Sequence, residues 1–243
     1  MRKYKTLSII IPVYNEEKFI EETVRKVLKA PSLGLEKEII IIDDGSKDKT
    51  KEKILKLSKK YQNIKAIFKQ KNEGKSASLK LGFLKSKGDI VLVQDADLEY
   101  DPFEYPILLE PFLKHNADVV YGSRFITNHP HRVLYFWHYL ANFILTTLSN
   151  MFTNLNLTDM ETGFKAFKGD LIRKIAKNLQ SKRFGFEPEI TAKISKIKGI
   201  KIYEVGISYF GRTYEEGKKI NWFDGIKAFF EVIKFNFFSF KNE

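Results

Sequence analysis

Residues 89–99 read Asp89-Ile90-Val91-Leu92-Val93-Gln94-Asp95-Ala96-Asp97-Leu98-Glu99, an apolar run that ends in closely spaced carboxylates. The apolar part predicts a buried β-strand. Alternate side chains of an extended chain point the same way, so Asp95 and Asp97 would share one side. Ligands of open α/β folds bind outside the carboxyl ends of the strands. The pattern indicates a site for Mg²⁺ or Mn²⁺ bridged to substrate phosphates. The alternative is a strand followed by an acidic loop without a metal, because the same sequence would encode it.

Strand-like and helical patterns alternate on either side of this segment. Strands are predicted over residues 7–13, 39–42, 64–68, 90–93 and 117–121, and helices over residues 16–30, from an N-cap at Ser46 onward, and over 74–85. Strands that are apolar throughout and alternate with helices are typical of a parallel sheet covered on both faces. We therefore expect an α/β fold with a Rossmann-like, mostly parallel sheet.

Two common phosphate-binding loops are absent from the sequence. The first strand runs into Pro12-Val13-Tyr14-Asn15-Glu16-Glu17, without the Gly-x-Gly-x-x-Gly turn of dinucleotide-binding folds. The chain also lacks the Gly-x-x-x-x-Gly-Lys-[Ser/Thr] loop. Phosphates would have to be held by a metal ion and by basic side chains.

Length and composition favour one domain of a cytoplasmic protein. The chain has 243 residues, no cysteine and no linker or repeat that divides it. The absence of cysteine excludes disulfides and thiolate metal sites and suits a reducing compartment. No signal peptide precedes the first predicted strand.

The net charge of +12, from 42 basic and 30 acidic residues, suggests a polyanionic partner. The candidates are a nucleic acid, an anionic membrane and a phosphorylated substrate. The lysines are scattered over helix faces, and no basic and aromatic residues interleave in a nucleic-acid-binding motif. We therefore expect no nucleic-acid partner, and a basic nucleic-acid-binding α/β protein is the alternative from another functional class.

Two apolar segments in the second half bear on membrane contact. Residues 132–152 are long enough to cross a bilayer, but His138, Asn142 and Thr146 among other polar residues make them a poor spanning segment. Residues 222–240 mix phenylalanines with lysines, which suits a helix in a membrane interface or a terminal helix docked on the core. We expect a domain over residues 1–220 and an amphipathic C-terminal segment over 221–243.

Six short motifs occur in order along the chain: Ile-Ile-Ile-Pro-Val-Tyr-Asn-Glu-Glu (9–17), Asp-Asp-Gly-Ser (43–46), Lys-Asn-Glu-Gly-Lys (71–75), Asp-Ala-Asp-Leu-Glu (95–99), Gly-Ser-Arg-Phe (122–125) and Thr-Gly-Phe-Lys (162–165). Together they resemble the family-2 glycosyltransferases of the GT-A fold. The resemblance is strongest to the dolichyl- and polyprenyl-phosphate mannose and glucose synthases, and it extends from residue 7 to about residue 225.

This resemblance implies a nucleotide-sugar site at the ends of the first strands. It assigns to the donor Pro12, Tyr14, Glu16, Ile42, Asp43, Asp44, Lys75, Asp95 and Ala96. Tyr14 would cover the base and Asp44 would accept its ring N–H, which suits uracil and guanine equally. The resemblance therefore implies a UDP- or a GDP-hexose as the donor.

The resemblance also implies roles around the diphosphate. Asp97 would be a direct metal ligand, Asp95 a ligand or a ribose contact, and Glu99 a third ligand. Arg124 would bind the phosphates. Arg212 and Lys218 would belong to a basic loop over the donor diphosphate and the acceptor, where Arg suits bidentate phosphate contact. Asp97, Arg124 and Lys218 are the expected catalytic residues.

The acceptor decides whether a general base is needed. A sugar hydroxyl must lose its proton in the transition state, whereas a polyprenyl phosphate, with a second pKa of about 6, is already anionic at pH 7. Asp159 and Glu161 are the candidate bases, and the resemblance puts Glu161 in the sugar site. We expect an inverting, metal-dependent transfer of glucose or mannose to a polyprenyl phosphate at the cytoplasmic face of a membrane. Transfer to a glycan, protein or small-molecule hydroxyl is the alternative.

Overall fold

A computed structural model describes residues 4–126, 132–133, 135–183, 185–213, 215–216 and 222–238. Its strands are β1 Thr6–Val13, β2 Glu36–Asp43, β3 Ile64–Phe68, β4 Ile90–Val93, β5 Val119–Ser123, β6 Lys165–Lys168 and β7 Ile202–Gly206. Its helices are α1 Ile20–Lys29, α2 Thr50–Lys60, α3 Lys75–Lys85, α4 Tyr105–Lys114, α5 Phe136–Thr153, α6 Gly169–Lys177, α7 Phe186–Ile194 and α8 Trp222–Phe237. A short 3₁₀ turn, Pro102–Glu104, precedes α4.

These strands form one sheet in the order β3-β2-β1-β4-β6-β5-β7. Neighbours from β3 to β4 pair in parallel, and so do β5 and β7. Strand β6 alone of the seven described strands runs antiparallel, between β4 and β5. The predicted mostly parallel α/β sheet is confirmed.

Isoleucine-rich strands supply the core on both faces of the sheet. Along β1, Ile9 and Ile11 pack with α1, α2 and α4 on one face, while Ile10 packs with α3, α6 and α7 on the other. This division follows from the twofold alternation of side chains along a strand. Because both faces are covered, ligands can reach this part of the sheet only at its edges.

The start of α2 differs from the prediction. The helix begins at Thr50, and the Ser46 hydroxyl accepts a hydrogen bond from the backbone N–H of Asn15 at 2.9 Å. The side chain of Asp48 accepts the backbone N–H of Thr50 at 3.0 Å. Ser46 therefore ties the loop after β2 to the loop after β1, and the predicted N-cap at Ser46 is wrong.

Helix α8 packs against α5 and α7. Its Val232 and Phe235 are buried, and the rings of Phe152 and Phe237 meet edge to face with centroids 4.7 Å apart. Phe230 lies 64% exposed on the same helix. The helix thus docks on the core and still presents aromatic rings to solvent. None of the helices in the described ranges has the length and apolar character that a bilayer-spanning segment requires.

Candidate active site

The loops that follow β1, β2, β4 and β5 meet at one edge of the sheet, because these strands run in the same direction. This edge gathers most of the side chains that the sequence singled out. It brings Glu16 from the first loop and Asp97 and Glu99 from the third to the same arginine, Arg212.

Arg212 is the centre of a carboxylate cluster. Its Nη2 lies 3.0 Å from Asp97 Oδ2, its Nε 3.4 Å from Glu99 Oε1, and its Nη1 3.6 Å from Glu16 Oε2. The backbone N–H of Arg212 also donates to Glu99 Oε1 at 2.9 Å, and the Tyr209 hydroxyl donates to Glu99 Oε2 at 2.9 Å. Residues 209–212 therefore pack against the loop after β4 and are held there by Glu99.

Asp97 is a buried carboxylate whose ionised form is destabilised by its acidic neighbours. Burial, together with the neighbouring charges of Glu99 and Asp95, raises the pKa of Asp97 to about 7, and Arg212 opposes this shift. Closely spaced carboxylates repel one another, so a cation between them stabilises their ionised forms.

Asp97 and Glu99 offer the oxygen donors that Mg²⁺ and Mn²⁺ prefer. In the part of the chain that the structure describes, however, no three acidic or imidazole side chains stand together as a ready metal site. The residues fit a divalent ion chemically if Arg212 moves away. Asp97 and Glu99 would then hold it.

Asp95 has a different partner from Asp97. The Lys75 ammonium lies 2.9 Å from Asp95 and 3.7 Å from Glu187 Oε1. Burial alone would lower the pKa of Lys75, but the two carboxylates outweigh it and raise that pKa. Gly163 comes so close that a Cβ at this position would overlap the Asp95 carboxylate. The lysine and carboxylate predicted for the donor are thus in contact.

The loop after β2 contains two aspartates with different environments. Asp43 is 1% exposed, and burial raises its pKa. Asp44 accepts hydrogen bonds from the Lys69 ammonium and from the backbone N–H groups of Glu73 (3.1 Å) and Gly74 (2.7 Å). Its carboxylate holds the loop before Lys75, and the ring N–H of a base would have to join these three donors or replace one of them.

The other residues expected around the base differ in exposure. Pro12 and Tyr14 are half-buried at the end of β1. Ile42 is fully buried in the core, so only its backbone could meet a ligand. Ala96 is nearly buried, and its carbonyl accepts the Thr23 hydroxyl at 2.8 Å.

Arg124 is engaged with Asp159. The two side chains form a bidentate ion pair, and the Arg124 backbone N–H donates to the same carboxylate at 3.1 Å. The guanidinium lies 5.1 Å from the centre of the Tyr209 ring. Arg124 therefore lies at the ligand edge as expected, with a protein carboxylate as its partner.

Two buried titratable groups lie at the start of β6: Glu161 in the turn before the strand and Lys165 at its first position. Burial and the charge of Glu187 raise the pKa of Glu161 to about 8, and Glu161 Oε1 is buried without a hydrogen-bond partner. Burial lowers the pKa of Lys165 to about 8. The Lys165 ammonium donates to the carbonyls of Met160 (2.9 Å) and Thr162 and lies over the Tyr121 ring.

Sequence analysis did not single out Lys165 or Glu187 as functional. The sequence carries only weak evidence for a function of these two residues. Lys165 is the last residue of the Thr-Gly-Phe-Lys motif, and Glu187 belongs to an ordinary helical pattern. The expected phosphate-loop residue Lys218 lies outside the described residues, and its role stays a prediction.

Comparison with known proteins gives these contacts a family context. The model of the family described as glycosyl transferase family 2 matches residues 8–176. A dolichol-phosphate mannosyltransferase of Pyrococcus furiosus is 30% identical over 230 residues, which cover 94% of this chain and 64% of the relative. A dolichyl-phosphate beta-glucosyltransferase of Trichomonas vaginalis is 32% identical over 246 residues, 96% of this chain and 73% of the relative. The chain thus spans less than two thirds of the Pyrococcus protein.

A solved structure shares the fold. Glucosyl-3-phosphoglycerate synthase from Mycobacterium tuberculosis, in complex with Mn²⁺, UDP and glucosyl-3-phosphoglycerate, superposes with a TM-score of 0.71 at 19% identity. The match covers 96% of this chain and 80% of that one. At this identity the likeness concerns the fold.

Proposed function

Because this chain belongs to glycosyl transferase family 2, we propose that it transfers glucose or mannose from a nucleotide diphosphate sugar to a polyprenyl phosphate, with inversion at the anomeric carbon. The observation that carries the proposal is the cluster of Asp97, Glu99 and Arg212 at the carboxyl edge of the parallel sheet. Two relatives named for transfer involving dolichyl phosphate support the choice of acceptor.

Acidic and basic side chains would both act on the nucleotide-sugar donor. Departure of a nucleoside diphosphate adds negative charge to its phosphates. A divalent ion held by Asp97 and Glu99 would stabilise that charge when bound. Arg212 and Lys218 would contact the same phosphates. Lys75, fixed by Asp95 and Glu187, would hold the donor near the turn that contains Glu161.

The acceptor half needs little acid–base chemistry if the nucleophile is a phosphate. The oxygen of a phosphate monoester is already anionic at neutral pH, so it can attack the anomeric carbon directly. A single displacement by this oxygen inverts the configuration. Asp159 is committed to Arg124, so it is a poor candidate for removing a proton.

An exposed aromatic surface on α5 and α8 suits a lipid-linked acceptor. Trp137 is 74% exposed, and Phe136, Phe143 and Phe230 each exceed half. Aromatic rings at an interface, with lysines beside them, favour adsorption to anionic lipid. We propose peripheral binding through these helices to the cytoplasmic face of a membrane.

One observation favours a hydroxyl acceptor as the second candidate. Burial holds the pKa of Glu161 at about 8, close to the value that suits a general base near neutral pH. In that case Glu161 would remove the proton of the acceptor hydroxyl.

The test is a transfer assay with the full chain. Labelled UDP-glucose, UDP-galactose, GDP-mannose and GDP-glucose are each incubated with Mn²⁺ and a polyprenyl phosphate in detergent. We expect one donor to give a product that extracts into organic solvent and releases its sugar in mild acid. Transfer only to water-soluble acceptors would instead support the second candidate. No nucleotide-sugar turnover with either acceptor class would contradict both.

A further inference from the structure

The Arg212 side chain occupies the space between the carboxylates that would hold a metal ion. It contacts Asp97, Glu99 and Glu16 at 3.0, 3.4 and 3.6 Å, and only 13% of the side chain is exposed. Its guanidinium also lies 5.4 Å from the centre of the Phe19 ring. This arginine is therefore an integral part of the cluster, with partners on several sides.

The charges explain why a cation belongs there. Glu16, Asp97 and Glu99 each contact Arg212, whereas Asp95 has Lys75 as its partner. Without Arg212, these three partly buried carboxylates would lose the cation that all of them contact, which is unfavourable. Arg212 neutralises part of this charge in the protein without ligands.

Arg212 and a metal ion would compete for the same oxygens. Arg212 takes Oδ2 of Asp97 through its side chain, and Oε1 of Glu99 through both its side chain and its backbone N–H. A divalent ion bonded directly to Asp97 and Glu99 would lie about 2.0–2.6 Å from these oxygens. A guanidinium held 3.0 Å and 3.4 Å from the same two oxygens would place its positive charge against that of the ion, so the two cations would compete for these carboxylates.

We propose that Arg212 is the resident counter-cation of this cluster, and that a divalent metal ion binds Asp97 and Glu99 by displacing it. This inference rests on the proposed function, since it assumes a metal-bound nucleotide diphosphate. The displaced guanidinium becomes free to bind the donor phosphates. Metal and nucleotide then bind cooperatively, because the nucleotide provides new partners for the arginine that the metal releases.

The metal ion and the nucleotide should each increase the affinity of the protein for the other. The metal ion alone must expel Arg212 with no other anion to receive it, so its affinity is low. With a nucleoside diphosphate present, Arg212 exchanges one anionic partner for another, and metal affinity rises. Coupling between two sites is reciprocal, so the metal tightens the nucleotide by the same factor.

The experiment measures Mn²⁺ binding to the full chain by electron paramagnetic resonance of free Mn²⁺, with and without saturating UDP or GDP, after correction for the Mn²⁺ that the same nucleotide binds without protein. The variant is Arg212→Gln, and Arg25→Gln is the matched control, because Arg25 is exposed on α1 and pairs with Glu22. We expect Arg212→Gln to bind Mn²⁺ alone about tenfold more tightly than the wild type, within the range usual for coupled sites. The gain from added nucleotide should shrink in this variant and remain unchanged in Arg25→Gln.

A second variant guards against misfolding. Arg212→Lys keeps the charge but loses the planar fork, so its Mn²⁺ affinity should lie between those of the wild type and Arg212→Gln. Circular dichroism checks that each variant is folded.

The outcomes separate the inference from the proposed function. If the wild type binds Mn²⁺ with a nucleotide but Arg212→Gln and Arg212→Lys gain no affinity for Mn²⁺ alone, the displacement idea is wrong and the donor chemistry stands. If wild type and variants bind no Mn²⁺ with either nucleotide, both fail together.

Discussion

The Arg124 guanidinium and the Asp159 carboxylate form a bidentate ion pair, with Nε 2.6 Å from Oδ2 and Nη2 2.7 Å from Oδ1. The Asp159 side chain is fully buried and that of Arg124 is 12% exposed. This pair joins the end of β5 to the turn before β6, across which the candidate sugar site is built. An arginine expected to bind phosphate thus also supports the architecture of the site.

Removing one member of this pair should destabilise the protein. Asp159→Ala leaves the Arg124 charge buried and unpaired, which typically costs about 3–5 kcal/mol. Urea unfolding followed by circular dichroism measures the change. The matched control is Asp170→Ala, which removes an aspartate that is 91% exposed beside Arg173 and should change the unfolding free energy by about 0.5 kcal/mol or less. Equal stability of the two variants would contradict the prediction.

Asp97→Ala should abolish transfer without unfolding the protein. Asp97 contributes charge to the cluster and no apolar packing, and the loss of a metal ligand typically removes several kcal/mol of transition-state stabilisation, a rate loss of about 10²–10³-fold. Since burial disfavours its ionised form, the melting temperature should not fall. Initial rates with Mn²⁺, compared with the exposed-site control Glu110→Ala, test this. Near-normal activity of Asp97→Ala would show that Asp97 is not a metal ligand.

Glu161→Gln separates the two classes of acceptor. With a polyprenyl phosphate as nucleophile no side chain removes a proton, so the variant should keep substantial activity. With a hydroxyl acceptor and Glu161 as the base, the rate should fall by about 10²–10⁴-fold. The measurement is kcat for the wild type and the variant with each acceptor. A large loss with polyprenyl phosphate would contradict the proposed mechanism.

The same substitution should change the pH dependence of stability. The pKa of Glu161 rises from 4.5 to about 8 on folding, so the folded state holds this proton more tightly than the unfolded state does. The wild-type unfolding free energy should therefore fall as the pH rises through this window. Glu161→Gln removes this effect.

We expect Glu161→Gln to melt at nearly the same temperature as the wild type at pH 4.5 and at a higher temperature at pH 8. The lowered pKa of Lys165 acts mainly above this window, where rising pH removes its penalty. Thermal melts at half-unit pH steps check the sign. If the difference in melting temperature between the variant and the wild type does not grow from pH 4.5 to pH 8, then ionisation of Glu161 does not destabilise the folded protein.

Membrane contact is tested better by substitution than by truncation. Removing the residues after Phe230 would delete Val232 and Phe235, which are buried against the core. The double variant Trp137→Ser/Phe230→Ser alters only exposed rings. It should sediment less with anionic liposomes at low salt than the wild type and the control Phe103→Ser, whose ring is 49% exposed in the turn before α4. Equal sedimentation of all three proteins would exclude these rings from lipid contact.

The parallel part of the sheet was predictable because its strands are continuous apolar runs. Strand β6 was not, since Lys165 and Lys168 flank only two apolar residues, Ala166 and Phe167, and a lysine normally indicates an exposed position. Lys165 is buried because two backbone carbonyls and a tyrosine ring receive its ammonium. Such compensation depends on tertiary contacts that no local pattern carries.

The edge at which the candidate site lies was predictable, but the pairing of its side chains was not. Asp97 was expected beside other carboxylates because of its place after a strand. Its arginine partner lies 115 residues further along the chain. Only the path of residues 209–212 past the loop after β4 brings the two together.

The antiparallel pairing of β5 and β6 has a practical consequence for redesign. Val120 stands opposite Ala166, so the chain leaves the sheet after β5 and comes back beside the same strand. The segment between β5 and β6, which includes α5 and the turn with Glu161, therefore starts and ends at neighbouring strands. Tolerance to exchange depends on what a segment buries, so a replacement for this segment would have to keep a buried partner for Arg124. The exchange would change the surroundings of Glu161 and leave the parallel pairing of strands β1 to β4 as it is.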